Sequence, residues 1–144
     1  MNKKTSLTFH RSDFTQYWFL LQDNEIRNEV SDFLLKYVSI EAFYKRLLIS
    51  YKERLGKKLT KTEKEHLSVF VTDVRKVLDY YDVAYDRDLI DRIFGSNNSN
   101  YMDCSIKKLR DRLVHNVNNN VLRIIVERYE SINRDLEEFL NLFI

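Results

Sequence analysis

The part of the sequence with the clearest potential for chemistry is a short stretch that holds an arginine, an aspartate and a histidine. Arg110, Asp111 and His115 lie in the string Leu-Arg-Asp-Arg-Leu-Val-His-Asn, whose apolar residues recur at helical spacing. Histidine can accept or donate a proton near neutral pH, because its unperturbed pKa lies near about 6.5. Arginine stays charged and donates paired hydrogen bonds to phosphate. These residue types favour proton transfer beside a phosphate group.

A helical wheel of residues 105–116 separates an apolar face from a polar one. The core-facing set is Ile106, Leu109, Leu113 and Val117. With Leu109 as zero, Asp111 and His115 fall on the opposite side, at roughly 200° and 240°. They lie one helical turn apart, so we expect the carboxylate to orient the imidazole. The alternative is a solvated helix face on which Asp111 and His115 form an ordinary side-chain pair.

The elements before this motif are predicted to be helices. An accessory segment, 1–23, carries Phe14, Tyr17, Trp18 and Leu21 at three-and-four spacing. One long helix follows, with an apolar stripe from Val30 to Leu55 and Gly56 as its stop. Thr62 with Glu65 makes a capping-box pattern that predicts a further helix, with Leu67 and Phe70 in its stripe, reaching Tyr81.

The elements around and after the motif complete the predicted fold. A short helix ends at Gly95, and the polar stretch 96–100 is predicted to be a loop. Asp103 or Ser105 caps the motif helix at 105–116, and one last helix runs from Leu122 to Phe143. We therefore predict one all-α domain over 1–144, an antiparallel four-helix bundle at 24–144 with short accessory helices.

Composition narrows the class of protein. The 144 residues include no Pro and two Gly, which favours helices, and the formal net charge of +2 means that any RNA contact must be local. No apolar run approaches a membrane span and no secretion signal develops, so we expect a cytoplasmic protein without membrane contact.

The three histidines show no metal spacing, and we predict neither a metal nor a cofactor. A lysine-rich stretch around Gly56 fits either an RNA backbone contact or a solvated turn.

The string from Leu109 to Asn116 resembles the signature of the HEPN superfamily, in which an arginine, often followed by a polar residue, is separated from a histidine by four to six intervening residues. Four residues separate Arg110 from His115 here, and Asp111 fills the polar position. The resemblance implies a homodimeric, metal-independent endoribonuclease of the toxin or abortive-infection type. It would cut RNA to 2′,3′-cyclic phosphate and 5′-hydroxyl ends, and an antitoxin or regulatory protein could control it.

The resemblance also assigns roles to residues. Arg110, Asp111 and His115 would be catalytic, while Arg112, Lys108 and Asn116 would contact the RNA phosphates. Arg110 lies roughly 140° from His115 on the wheel, whereas Arg112 lies only roughly 60° away. The motif favours Arg110 and the spacing favours Arg112 as the main phosphate contact. Two other functions stay open: a non-catalytic module that binds RNA, a nucleotide or a protein, and a purely structural dimerisation bundle.

Overall fold

The computed structural model describes residues 22–96 and 100–143, and these residues form seven helices and no strand. The predicted all-α class is confirmed for this part of the chain. The predicted helix around Phe14 and Trp18 lies outside the described residues, as do positions 97–99 of the predicted loop. The helices are α1 (Asn24–Arg54), α2 (Lys61–Glu65), α3 (Val71–Tyr80), α4 (Arg87–Phe94), α5 (Ile106–His115), α6 (Asn119–Glu127) and α7 (Tyr129–Asn141).

The long helix α1 forms where its apolar stripe predicts it. The Asp23 carboxylate caps its first turn by accepting from the backbone N–H groups of Glu25 and Ile26. The chain leaves the helix through Gly56, which adopts a φ of +88°, a left-handed conformation that suits glycine. The side chains of one stripe are buried: Val30, Phe33, Tyr37, Ile40, Tyr44 and Leu48. They pack against α3, α5, α6 and α7, so α1 provides one wall for most of the core.

The prediction of one continuous helix from Thr62 to Tyr81 is wrong, because the chain forms two separate helices there. The capping box forms two residues earlier than predicted, between Thr60 and Glu63, and α2 ends at Glu65 with no buried residue. The chain then runs extended through Phe70, which is 57% exposed, while Val69 is buried. The three-residue spacing of Leu67 and Phe70 matches a helical stripe, but the core buries Val69, Leu67 packs half-buried against it, and Phe70 is exposed.

The motif helix α5 has the predicted position and the predicted core face. Ser105 is its N-cap: its hydroxyl accepts from the Lys108 N–H at 3.1 Å and donates to the Gly95 carbonyl at 2.6 Å. The serine thus ties the start of α5 to the end of α4. Ile106, Leu109 and Leu113 are buried, as the wheel predicts.

The predicted final helix is divided into α6 and α7 at Arg128. The backbone of Arg128 (φ −92°, ψ 3°) leaves helical geometry, and its carbonyl accepts a hydrogen bond from the Ser131 hydroxyl at 3.0 Å. Its guanidinium donates to the Tyr101 carbonyl at 2.7 Å, which attaches this bend to the loop before α5. The stripe nevertheless continues through the bend, because Leu122, Ile125, Ile132, Leu136 and Phe139 are all buried.

Aromatic contacts join three helices inside the core. The Phe94 ring lies 5.9 Å from Tyr44 and 5.4 Å from Phe139, centroid to centroid, in tilted and edge-on arrangements that suit aromatic pairs. These contacts connect α4 with α1 and α7. Among the helices in the described ranges, none is long and apolar enough to cross a membrane.

Candidate functional site

Helix α5 brings the motif residues to the boundary between the core and solvent. Leu109 and Leu113 point into the core, whereas Val114 is 53% exposed and His115 is exposed at the last position of the helix. Arg110 and Asp111 lie between these two faces and are half-buried. The site is therefore an edge of the helix with one accessible imidazole at its end.

Arg110 is held by a carboxylate of another helix. Its Nη2 lies 2.7 Å from Oε2 of Glu41 on α1 and 3.3 Å from Oδ1 of Asp111. The guanidinium carbon also lies 5.1 Å from the centre of the Tyr37 ring, within range of a cation–π contact. The Arg110 side chain is only 20% exposed. It packs against α1 rather than lying open on the polar face.

The surroundings of Arg110 favour its charged form. Burial alone disfavours the cation, but the negative charge of Glu41 and the further contributions of Tyr37 and Asp111 outweigh it and raise the pKa of Arg110. Burial also disfavours the charged form of Tyr37 and so raises the pKa of its hydroxyl, which therefore stays neutral. Glu41 uses its other oxygen, Oε1, to pair with Lys45 at 3.1 Å. Two carboxylates and two cations meet here, so the local charge is close to balanced.

Arg112 has a different environment. Its guanidinium lies 4.5 Å from the centre of the Tyr101 ring, in the loop before α5. The Asn118 side chain and the Arg112 guanidinium lower the pKa of the Tyr101 hydroxyl. Among the described residues, no carboxylate forms an ion pair with Arg112, in contrast to Arg110.

The structure does not join Asp111 to His115. Asp111 pairs with Arg110, and within the described residues no hydrogen bond or ion pair links its carboxylate to the imidazole. Lys108 is half-buried, and Asn116 is the exposed C-cap of α5, where its N–H donates to the Arg112 carbonyl at 2.9 Å. Of the predicted site residues, only Arg110 and Asp111 contact each other through their side chains.

Two contact residues, Glu41 and Tyr101, were missed by the sequence analysis. Glu41 lies between Ile40 and Tyr44 on α1, at the margin of the buried stripe. A carboxylate beside an apolar stripe needs a cationic partner, and this was the available signal. Tyr101 carried no comparable signal, because its role depends on the path of the loop.

Neither metal ligands nor relatives identify the site. Within the described ranges, no three histidine, cysteine or acidic side chains are grouped so that they could hold a metal ion. Comparison of the chain with protein-family models, with curated proteins and with solved structures found no match.

Proposed function

We propose that this chain is a metal-independent endoribonuclease of the HEPN type, with an antiparallel four-helix bundle as its fold. It would act in the cytoplasm as a toxin or phage-defence effector and cut RNA to 2′,3′-cyclic phosphate and 5′-hydroxyl ends. One observation supports this most. His115 is exposed to solvent at the end of α5, and the same helix carries Arg110, whose guanidinium is held by a hydrogen bond to Glu41.

The chemistry assigns one task to each side chain. The imidazole of His115 takes the proton of the ribose 2′-hydroxyl, whose oxygen then attacks the adjacent phosphorus and expels the 5′-oxygen. The guanidinium of Arg110 donates to the phosphate oxygens as negative charge develops on them. A second acid must protonate the leaving 5′-oxygen. Asp111 acts on the site through Arg110, to which it is paired, rather than through the imidazole.

A second copy of the chain would complete the site. His115 lies five residues after Arg110, which is about 7.5 Å further along the helix axis and roughly 140° around it. One protomer therefore does not bring both groups to one phosphate with ease. Two copies related by a twofold axis would supply two imidazoles, one as base and one as acid, beside the arginines. An antitoxin or regulatory protein would then act by covering the surface around His115.

The direct test is cleavage of single-stranded RNA in the presence of EDTA. We expect the wild type to cut and His115→Ala to lose at least about a hundredfold in rate, as for the loss of a general base. His66→Ala is the matched control, because His66 is an exposed histidine at the C-cap of α2, remote in sequence from the motif. Equal cutting by wild type and His115→Ala, or activity that chelation removes, would end the proposal.

One observation favours a non-catalytic alternative. Glu41 and Asp111 both lie against Arg110, so its attraction for a phosphate is partly neutralised. A HEPN module of this kind would bind RNA, a nucleotide or a partner protein without turnover. Tight binding of RNA by the wild type with no cleavage at any pH between about 5 and 9, where an imidazole changes its charge, would favour this alternative.

A further inference from the structure

We infer that Glu41 is a positioning residue for the phosphate-binding arginine, an inference that rests on the proposed function. Glu41 lies on α1, 69 residues before Arg110 in the sequence, and touches the motif only through the guanidinium. It would set the direction from which Arg110 reaches a phosphate without contacting the phosphate itself.

The contacts of Glu41 fix its own position first. Oε1 lies 3.1 Å from Lys45 Nζ on the same helix, and Oε2 lies 2.7 Å from Arg110 Nη2. The Glu41 side chain is 16% exposed, so water competes little for these contacts. Because both oxygens are engaged, the carboxylate has little freedom to rotate. The lysine therefore holds the glutamate, and the glutamate holds the arginine.

The remaining contacts of Arg110 decide which atoms are left for a ligand. Nη2 pairs with Glu41 and Asp111, and Nε is buried without a hydrogen-bond partner among the described residues. The Tyr37 ring lies against the guanidinium, 5.1 Å from its central carbon. The ion pair with Glu41 and the Tyr37 ring restrict the movement of the guanidinium. Nη1 is then the donor group that a phosphate oxygen can use, in an orientation set before the substrate binds.

The test replaces the charge of Glu41 and keeps its shape. In Glu41→Gln we expect the single-turnover cleavage rate at saturating RNA to fall about tenfold, because a neutral hydrogen bond replaces a charge-assisted one. The affinity for an uncleavable 2′-deoxy oligonucleotide should not fall, because Glu41 does not touch the ligand and its negative charge opposes the attraction of Arg110 for a phosphate. Glu53→Gln is the matched control, because Glu53 forms an exposed ion pair with Lys64 elsewhere.

A double variant separates positioning from a general structural role. If Glu41 acts only through Arg110, Glu41→Gln should not slow cleavage further when Arg110 is already Ala. A further loss in that background, or an unchanged or faster rate in Glu41→Gln alone, would overturn the inference. Faster cleavage would instead identify Glu41 as a competitor of the phosphate. Glu41→Asp, which keeps the charge on a shorter side chain, should recover part of the rate and serves if the glutamine variant folds poorly.

A chemical readout distinguishes this inference from the proposed function. Phenylglyoxal modifies accessible arginines, and peptide mass spectrometry can follow the reaction at Arg110. We expect the modification of Arg110 to be at least about fivefold faster in Glu41→Gln than in wild type, because about 1 kcal/mol of restraint corresponds to that factor. An unchanged rate at Arg110 would overturn positioning even if the protein cuts RNA. If phenylglyoxal modifies Arg110 faster in Glu41→Gln but the wild type cuts no RNA, the proposed function is overturned. Glu41 would then restrain Arg110 without any role in catalysis.

Discussion

Replacing Arg110 by Met should destabilise the fold measurably, because the pair with Glu41 is mostly buried. The two side chains are 20% and 16% exposed, so the pair lies between exposed ion pairs, worth about 0 to 1 kcal/mol, and fully buried ones, whose disruption costs about 3 to 5 kcal/mol. Met keeps the packing of the aliphatic stem and removes the charge, the hydrogen bond and the contact with the Tyr37 ring. Lys45 still neutralises Glu41, which limits the penalty.

We therefore expect Arg110→Met to lower the free energy of unfolding by about 2 kcal/mol, composed of about 1.5 for the charge-assisted hydrogen bond and about 0.5 to 1 for the cation–π contact. For a chain of this length the change corresponds to a fall in Tm of about 6 °C. Urea unfolding followed by far-ultraviolet circular dichroism measures it. The urea dependence of the free energy should stay unchanged, since the same surface is exposed on unfolding.

The control is an ion pair of the same kind at an exposed position. Lys64 and Glu53 are 41% and 47% exposed, and Lys64→Met should cost no more than about 0.5 kcal/mol. A double-mutant cycle of Arg110→Met with Glu41→Gln should give a coupling energy of about 1.5 kcal/mol. If Arg110→Met is as mild as Lys64→Met, or if the coupling is near zero, burial does not strengthen this pair and the reasoning fails.

Three further predictions concern other contacts of the fold and the site. Ser105→Ala removes both the N-cap of α5 and a buried bond to the Gly95 carbonyl, so urea unfolding should show a loss of about 1 to 2 kcal/mol, whereas Ser68→Ala, at an exposed position, should lose almost nothing. Hydrogen bonds from Lys36 and Tyr129 lower the pKa of Asp32, so its stabilisation is present above the usual carboxyl pKa and is lost as the pH falls through the folded value. Asp32→Asn should therefore show a smaller decrease in Tm than wild type between about pH 5 and pH 2, and an equal decrease would contradict this. Arg112→Ala should weaken the binding of a 2′-deoxy oligonucleotide and reduce its salt dependence by about one counterion; an unchanged salt dependence would show that Arg112 does not face the phosphates.

The fold could be predicted wherever its cause was local. The stripe of α1 and the core face of α5 follow from spacing alone, because each residue type reports its own preference for burial. The two errors have a different origin. The chain between α2 and α3 buries Val69 rather than Phe70, and Arg128 divides the last helix while its guanidinium bonds to Tyr101. Both choices depend on neighbours that are distant in sequence.

The same distinction applies to the candidate site. The wheel correctly predicts that His115 points away from the core, since that follows from the apolar residues of its own helix. It cannot predict that Asp111 turns to Arg110 instead of His115, because the position of Arg110 is fixed by Glu41 on another helix. The partner of a long charged side chain is a tertiary property, and a helical wheel contains no tertiary information.

The choice between the two arginines follows from their partners rather than from their angles. Arg110 has a fixed orientation, but its positive charge is partly neutralised by the ion pair with Glu41. It therefore suits a role that depends on geometry, as negative charge develops on the phosphate in the transition state. Arg112 stacks on Tyr101 without a carboxylate among the described residues, so it attracts a phosphate more strongly from a distance. The sequence leaves open which of the two is the main phosphate contact. If the chain is the ribonuclease we propose, their environments favour two tasks: Arg112 would contribute to the affinity for RNA and Arg110 to the rate of cleavage.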